Sequence, residues 1–144
     1  MLPSLHPKST IVRTSLLYDL RTPNGATARL IRAIETDEPY TLFTDEYRCP
    51  MWIENLAEVL LESAGKDYGG ILHLGGPEHL NRWDLGMKLL QHFGIAPTPN
   101  IQEGTIEESN LIRHPDLTID SSLAQQLLQT PLLSLEEARQ DAAP

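Results

Sequence analysis

The chain has 144 residues, of which 40% are hydrophobic and 22% are charged, a composition ordinary for one soluble globular domain. Its 20 acidic and 11 basic residues give a formal net charge of −9, which argues against nucleic acid or an anionic membrane surface as a partner. No apolar run approaches the ~20 residues of a membrane span, and the N-terminal MLPSLHPKS lacks the apolar core of a signal peptide. We therefore expect a cytoplasmic protein.

Metal and disulfide chemistry have no support in the sequence. Cys49 is the only cysteine, and the five histidines show neither HExxH nor HxH spacing. We therefore predict no metal site. Eight of the 11 basic residues are arginines, and the planar fork of the guanidinium suits phosphate better than the lysine ammonium does. A small anionic ligand held in one cleft therefore remains a candidate.

The first predicted element is a largely buried strand over Thr10–Tyr18, in the β-rich run STIVRTSLLYD. Nothing before it could supply a neighbouring strand, and an unpaired edge is a liability. We therefore expect further sheet from elsewhere. Pro23-Asn24-Gly25 is turn chemistry, and a short amphipathic helix is then predicted from the spacing of Thr27, Leu30, Ile31 and Ile34.

A second strand, an irregular segment and a helix are predicted next, in PYTLFTD, EYRCP and Ile53–Ala64. The helix is predicted from apolar residues at the spacing of a one-faced helix, namely Ile53, Leu56, Ala57, Leu60, Leu61 and Ala64. Leu56 and Leu60, together with Phe93 of the next helix, are expected in the core.

The second half of the chain begins with a short strand fenced by glycine pairs, GGILHLGG. Asn81 is predicted to cap a helix that ends at Gly94, and the stretch from Ala96 to Asp116 is predicted to be mostly loop. Asp120 or Ser121 caps a helix through Leu128, and Ser134 with Glu137 forms a capping box for the last helix. This order of elements indicates an α/β protein with helices covering a sheet.

Four segments in this order resemble the C-terminal half of extended short-chain dehydrogenase/reductases. They are IVRTSLLYD, YRCPMWIENLAEVLLE, GGILHLGGPEHLNRWDLG and IRHPDLTIDSSLA. The branch they resemble is the dTDP-4-dehydrorhamnose reductase-like, substrate-binding group, which uses NAD(P)H on nucleoside-diphosphate sugars. The resemblance implies the C-terminal part of a Rossmann-like doubly wound fold with the small substrate-binding subdomain, spanning residues 1–144 as one region.

The resemblance also implies roles for individual residues. Ser15 and Leu16 would line the junction between nicotinamide and sugar, with Ser15 on the nicotinamide side; the alternative is that they are simply sheet interior. Many reductases of this type carry a bulky aromatic residue near Leu16, so the identity of the sugar stays open.

Two arginines match family positions that reach the ligand. Arg48 lies where related epimerases place an arginine that binds the diphosphate, with Asn55 where an aspartate is usual; the alternative is a surface pair with Asp45 or Glu46. Arg113 matches the arginine of the family's RPxxSxLD element and would approach the nucleotide. Asp120 matches the aspartate of that element, and we interpret it as a helix cap.

The family's chemical machinery has no counterpart in the sequence. The catalytic pair of such enzymes is Tyr-x-x-x-Lys, but none of the four tyrosines is followed four residues later by lysine. The glycine-rich loop that cradles a dinucleotide phosphate is absent too. We therefore expect no cofactor in this chain and no catalytic residue, although NAD(P)H is implied for a complete family member.

Two functions follow from these observations. The first is the substrate-binding portion of a nucleotide-sugar reductase, inactive as an isolated chain that lacks its N-terminal dinucleotide-binding half. The second is a non-catalytic module that retains the half-fold to bind a partner protein. The exposed edge of the first strand favours the second, through strand addition or homo-oligomerisation.

Overall fold

The computed structural model describes residues 8–143, which form eight strands and six helices. The strands are β1 (Thr10–Thr14), β2 (Leu17–Tyr18), β3 (Tyr40–Phe43), β4 (Tyr47–Arg48), β5 (Met51–Trp52), β6 (Gly70–Leu74), β7 (Leu80–Asn81) and β8 (Ile101–Gly104). The helices are α1 (Gly25–Thr36), α2 (Ile53–Ala64), α3 (Arg82–His92), α4 (Ile106–Ser109), α5 (Ser122–Leu127) and α6 (Leu135–Asp141). The predicted α/β class is therefore confirmed.

The strands associate in pairs. β1 pairs with β6, β2 with β5 and β3 with β8, all in parallel. Parallel partners need long crossover connections, which here contain helices. β4 and β7 are antiparallel, with Tyr47 opposite Asn81 and Arg48 opposite Leu80.

The first strand is shorter than predicted. β1, which pairs with β6, ends at Thr14. After Ser15 and Leu16 the chain pairs with β5 instead, and the Leu16 carbonyl accepts the Met51 N–H at 2.9 Å. The prediction of one largely buried strand over Thr10–Tyr18 is wrong, because Arg13 and Thr14 are exposed and the partner changes midway. The polar residues that interrupt the apolar run mark this break.

Three clusters of buried side chains form the core, and α3 joins two of them. Leu85 and Leu89 pack with Tyr18 and Trp52, whereas Leu90 packs on the side of α1 and β3. A Cβ atom at Gly86 would lie only 2.7 Å from a methyl carbon of Leu42, so this glycine lets α3 approach β3 closely.

α2 has the predicted bounds but buries a different face. Val59 is fully buried and Asn55 is 1% exposed, whereas Leu60 is 38% and Leu61 78% exposed. The prediction that Leu60 is core is therefore wrong. Leu56 is half-buried against the cluster around Val59, and Phe93 is likewise only half-buried.

Two polar side chains of α2 explain which face is buried. The Asn55 amide donates to the Pro131 carbonyl at 2.9 Å and accepts the Leu133 N–H at 3.0 Å. Two turns further on, the Glu62 carboxylate accepts the N–H groups of Gln129 and Thr130, both at 2.8 Å. The helix is thus oriented by hydrogen bonds to the segment 129–133, which satisfy backbone groups that would otherwise need water.

The remaining predictions have mixed outcomes. The stretch from Ala96 to Asp116 is not mostly loop, since it contains β8 and α4. The Asn81 cap is confirmed, with its side-chain oxygen 2.7 Å from the Asp84 nitrogen, and so is the capping box of Ser134 and Glu137. Asp120 accepts the Ser122 N–H at 2.9 Å at the start of α5.

Among residues 8–143, no helix has the length and apolar character that a membrane crossing requires. Over the same residues, no three His, Cys, Asp or Glu side chains lie together in a way that could hold a metal ion.

Candidate functional site

The two arginines singled out in the sequence meet at one buried carboxylate. Glu46 directly precedes β4, and its side chain is 5% exposed. Arg48 Nη2 lies 2.7 Å from Glu46 Oε1, and Arg113 Nη1 lies 3.2 Å from Glu46 Oε2. The alternative pairing of Arg48 with Glu46 is therefore present, but it is buried and shared with Arg113 instead of lying on the surface.

Arg48 is the fixed member of this cluster. Its side chain is 14% exposed, against 43% for Arg113. Arg48 Nη1 also donates to the carbonyl of Tyr47 at 2.5 Å and to that of His114 at 3.4 Å. Arg113 is the more accessible guanidinium, and its Cζ atom lies 5.2 Å from the centre of the Phe43 ring, a cation–π distance.

An exposed segment, residues 110–118, brings Arg113 to β4. The Tyr47 N–H donates to the Pro115 carbonyl at 2.6 Å, and the Leu117 N–H donates to the Tyr47 carbonyl at 3.3 Å. Asp116 adds a side-chain contact, with its carboxylate 3.1 Å from His79 Nε2. The His79 ring in turn stacks on Tyr47 with 4.4 Å between the ring centres.

The hydrogen bonds at Asp116 favour its charged form. Its pKa lies below the usual value, chiefly because the Thr118 N–H donates to the carboxylate, with His79 adding to the effect. The segment that presents Arg113 is therefore tied to β4 and to the loop before β7.

An open cleft of about 510 Å³ lies beside Arg113. β3, β8 and α4 form its walls, and its lining includes Tyr40, Phe43, Glu103, Thr105 and Arg113. The cleft combines aromatic rings, hydroxyl and carboxylate acceptors and one cation, which is a surface suited to a polar ring system.

Ser15 and Leu16 lie at the break between β1 and β2. The Ser15 hydroxyl accepts the Cys49 N–H at 3.2 Å, so it holds the chain one residue beyond Arg48. Leu16 lines a small cavity between α1 and α3 together with Arg82. The four predicted site residues therefore lie around β4 and β5, two at the carboxylate and two at the strand break.

Arg82, the first residue of α3, was missed by the sequence analysis. Burial lowers the pKa of its guanidinium, and the nearby charges of Arg48 and Arg113 lower it further, whereas Glu46 raises it. The signal in the sequence is its position: a cation directly after the cap of a helix opposes the helix dipole. Together the three arginines and Glu46 carry two net positive charges in a chain whose net charge is −9.

The glycine pair at the end of β6 does not cradle a dinucleotide. A Cβ atom at Gly76 would lie 2.0 Å from the Pro50 carbonyl oxygen, and one at Gly75 would lie 2.7 Å from Cys49 Sγ. Both glycines permit close packing of protein against protein and leave no space for a pyrophosphate. These residues do not fit NAD(P)H, and the expectation that the chain holds no cofactor stays a prediction.

The model of one protein family, the RmlD substrate binding domain, matches residues 2–140. No curated protein shows significant similarity to the chain. The family match confirms the predicted resemblance to the reductase-like, substrate-binding branch. Several solved structures are similar in fold, which confirms the predicted Rossmann-like class.

The dTDP-4-dehydrorhamnose reductase of Bacillus anthracis, in complex with NADP, has a TM-score of 0.80 at 20% identity. The match covers 97% of this chain and 50% of that one. A hypothetical dTDP-4-dehydrorhamnose reductase of Sulfolobus tokodaii has a TM-score of 0.71 at 24% identity, covering 92% of this chain and 46% of that one.

An epimerase is similar as well. The UDP-glucuronic acid 4-epimerase of Bacillus cereus, in complex with UDP-glucuronic acid and NAD, has a TM-score of 0.67 at 22% identity. The match covers 92% of this chain and 43% of that one. The chain thus spans about half the length of the solved structures it resembles.

Proposed function

Because the chain belongs to the RmlD substrate binding domain family, we propose that it binds a nucleoside-diphosphate sugar through Arg48 and Arg113. The observation that supports this most is the meeting of these two arginines, distant in sequence, at the buried Glu46. Arginine forks bind phosphate oxygens in pairs, and a rigid strand end presents Arg48 with little freedom to lose.

On this proposal the other parts of the ligand lie on either side of the arginines. The sugar would lie toward the strand break at Ser15 and Leu16. The nucleoside would enter the cleft beside Phe43 and Arg113, where a base can contact aromatic and carboxylate groups. Ser15 also has a structural role in this proposal, because its hydroxyl accepts the Cys49 N–H.

The chain would serve as the substrate-binding portion of a cytoplasmic NAD(P)-dependent sugar-nucleotide reductase. The dinucleotide and the proton donor would then be held by residues outside these 144, since Gly75 and Gly76 pack against protein. On this proposal the isolated chain is inactive and functions with a dinucleotide-binding half or in a homo-oligomer.

The alternative, a non-catalytic module that binds a partner protein, is favoured by one observation. Several large apolar side chains are exposed, among them Leu61 at 78%, Ile112 at 105% and Ile71 at 43%. Large exposed apolar side chains mark interaction sites where they adjoin one another, as Leu60 and Leu61 do on α2. Nucleotide-sugar binding separates the two functions, because a pure protein-binding module has no need of it.

Calorimetric titration of the chain with dTDP-glucose and with UDP-glucose tests the proposal. Arg48→Ala should weaken binding by about 1.5–3 kcal/mol, the range of hydrogen bonds to charged groups. Arg29→Ala, on the exposed surface of α1, is the control and should leave the affinity unchanged. Equal binding by wild type and Arg48→Ala, with both proteins folded by circular dichroism, would contradict the role of Arg48.

A further inference from the structure

Arg82 occupies the register position opposite Glu46. In the antiparallel pair of β4 and β7, Arg48 faces Leu80 and Tyr47 faces Asn81. One step further along the same register sets Arg82 against Glu46, where the ladder ends and α3 begins. Arg82 also lines the small cavity that contains Leu16, so its side chain lies between the carboxylate cluster and the strand break.

The energetics of Arg82 are unfavourable without a further anion. Its guanidinium is partly removed from water, it begins a helix whose N-terminus repels cations, and it lies close to two other arginines. Glu46 is the carboxylate that opposes these costs, with a smaller contribution from Tyr40, and it already binds Arg48 and Arg113. Within residues 8–143, Arg82 itself has no ion pair and its side chain has no hydrogen-bond partner.

We propose that Arg82 is a third ligand-binding arginine, which binds the diphosphate from the α3 side while Arg48 and Arg113 bind it from β4. This inference rests on the proposed function, whose site it completes. Glu46 then acts as the resident counter-ion that keeps three guanidinium groups together before the ligand arrives.

The charge of the cluster specifies the ligand class. Three arginines and one glutamate leave two net positive charges, which the two ionised phosphates of a nucleoside-diphosphate sugar neutralise. A nucleoside monophosphate diester supplies only one negative charge and leaves one positive charge of the cluster unbalanced. The site should therefore select nucleoside-diphosphate sugars over nucleoside-monophosphate sugars through charge.

The test uses Arg82→Gln, which removes the charge and retains much of the side-chain volume. Because the charge is unfavourable in the unliganded fold, the variant should melt at a higher temperature than wild type without ligand. Its affinity for dTDP-glucose, UDP-glucose and inorganic pyrophosphate should nevertheless fall about tenfold to a hundredfold. If Arg82 had a purely structural role, Arg82→Gln would instead lower the melting temperature.

Two further variants complete the design. Arg82→Lys keeps the charge without the fork, so its affinity should lie between those of wild type and Arg82→Gln. Arg29→Gln, exposed on α1, should change neither affinity nor melting temperature. If Arg48→Ala weakens binding but Arg82→Gln does not, the inference on Arg82 is overturned and the proposed function stands. If wild type binds none of the three probes, both are overturned.

Discussion

The burial of the Tyr18 hydroxyl is unfavourable for the free energy of folding. Its side chain is 1% exposed in the cluster with Trp52, and its hydroxyl has no hydrogen-bond partner among the residues that the structure describes. Burial raises the pKa of the phenol, and the nearby charge of Glu78 raises it further. The hydroxyl is thus held neutral and unsatisfied, which is an unfavourable state for a polar group in a core.

Tyr18→Phe should therefore leave the free energy of unfolding unchanged or raise it by up to about 1 kcal/mol, because the change removes a desolvated hydroxyl and little packing. Tyr68→Phe is the matched control. The Tyr68 hydroxyl donates to the Ile71 carbonyl at 3.0 Å, so its loss should cost about 0.5–1.5 kcal/mol. Urea unfolding of both variants checks this, and a loss above 1 kcal/mol for Tyr18→Phe would show that its hydroxyl is bonded.

The candidate site shows which residue roles the sequence could predict. Arg48 and Arg113 were placed at one site by resemblance to family motifs, and they share one carboxylate in the structure. Glu46 was considered only as a surface partner, because its burial depends on the segment 110–118 returning to β4. Arg82 lies within the quoted segment GGILHLGGPEHLNRWDLG but had no role assigned to it there, because its importance depends on a register that brings β7 back to β4.

At the scale of elements, helix bounds were easier to predict than the faces that helices bury. α2 runs from Ile53 to Ala64 as predicted, since apolar spacing and helix propensity act locally. Its buried face contains Asn55 and depends on partners in the segment 129–133, far along the chain. β8 was missed for the same reason, because IQEG has no alternating pattern and forms a strand by pairing with β3.

Glu62 makes the stability of the contact between α2 and the segment 129–133 dependent on pH. Its pKa is lowered to about 2, chiefly by the hydrogen bond from the Gln129 N–H and then by those from Thr130. A carboxylate with a pKa lower in the folded than in the unfolded state stabilises the fold above its unfolded value, near 4.5. This stabilisation is lost as the pH falls from about 4.5 toward 2.

Glu62→Gln should therefore destabilise the protein at pH 7, and the difference from wild type should shrink as the pH falls through this window. Urea midpoints of both proteins at pH 7, 5 and 3.5 measure the effect. Glu58→Gln, an exposed position on the same helix, is the control for the change in net charge. A difference between Glu62→Gln and wild type that stays constant over this pH range would contradict the role of the ionised carboxylate.

At the scale of the whole molecule, β1 is hydrogen-bonded to another strand along one of its two edges, among residues 8–143. It pairs with β6, where the Gly70 N–H donates to the Ser9 carbonyl at 3.0 Å. In a parallel ladder alternate residues bond to the same neighbour, so the odd-numbered residues of β1 face β6. The N–H groups of Thr10, Val12 and Thr14 then point to the opposite edge, which is the side on which another strand could add.

We predict that the purified chain associates through this edge and does not oxidise NADPH with any keto-sugar nucleotide. Association should be weakened by Thr14→Pro, which removes an outward N–H of β1, but not by Thr14→Ala, which keeps it. Activity should be absent because the chain has no Tyr-x-x-x-Lys pair to donate a proton, a contribution typically worth about 10²–10⁴-fold. Light scattering and absorbance at the nicotinamide band measure both properties. A monomer that consumed NADPH would require the proton donor and the dinucleotide site to come from residues that here only pack or cap.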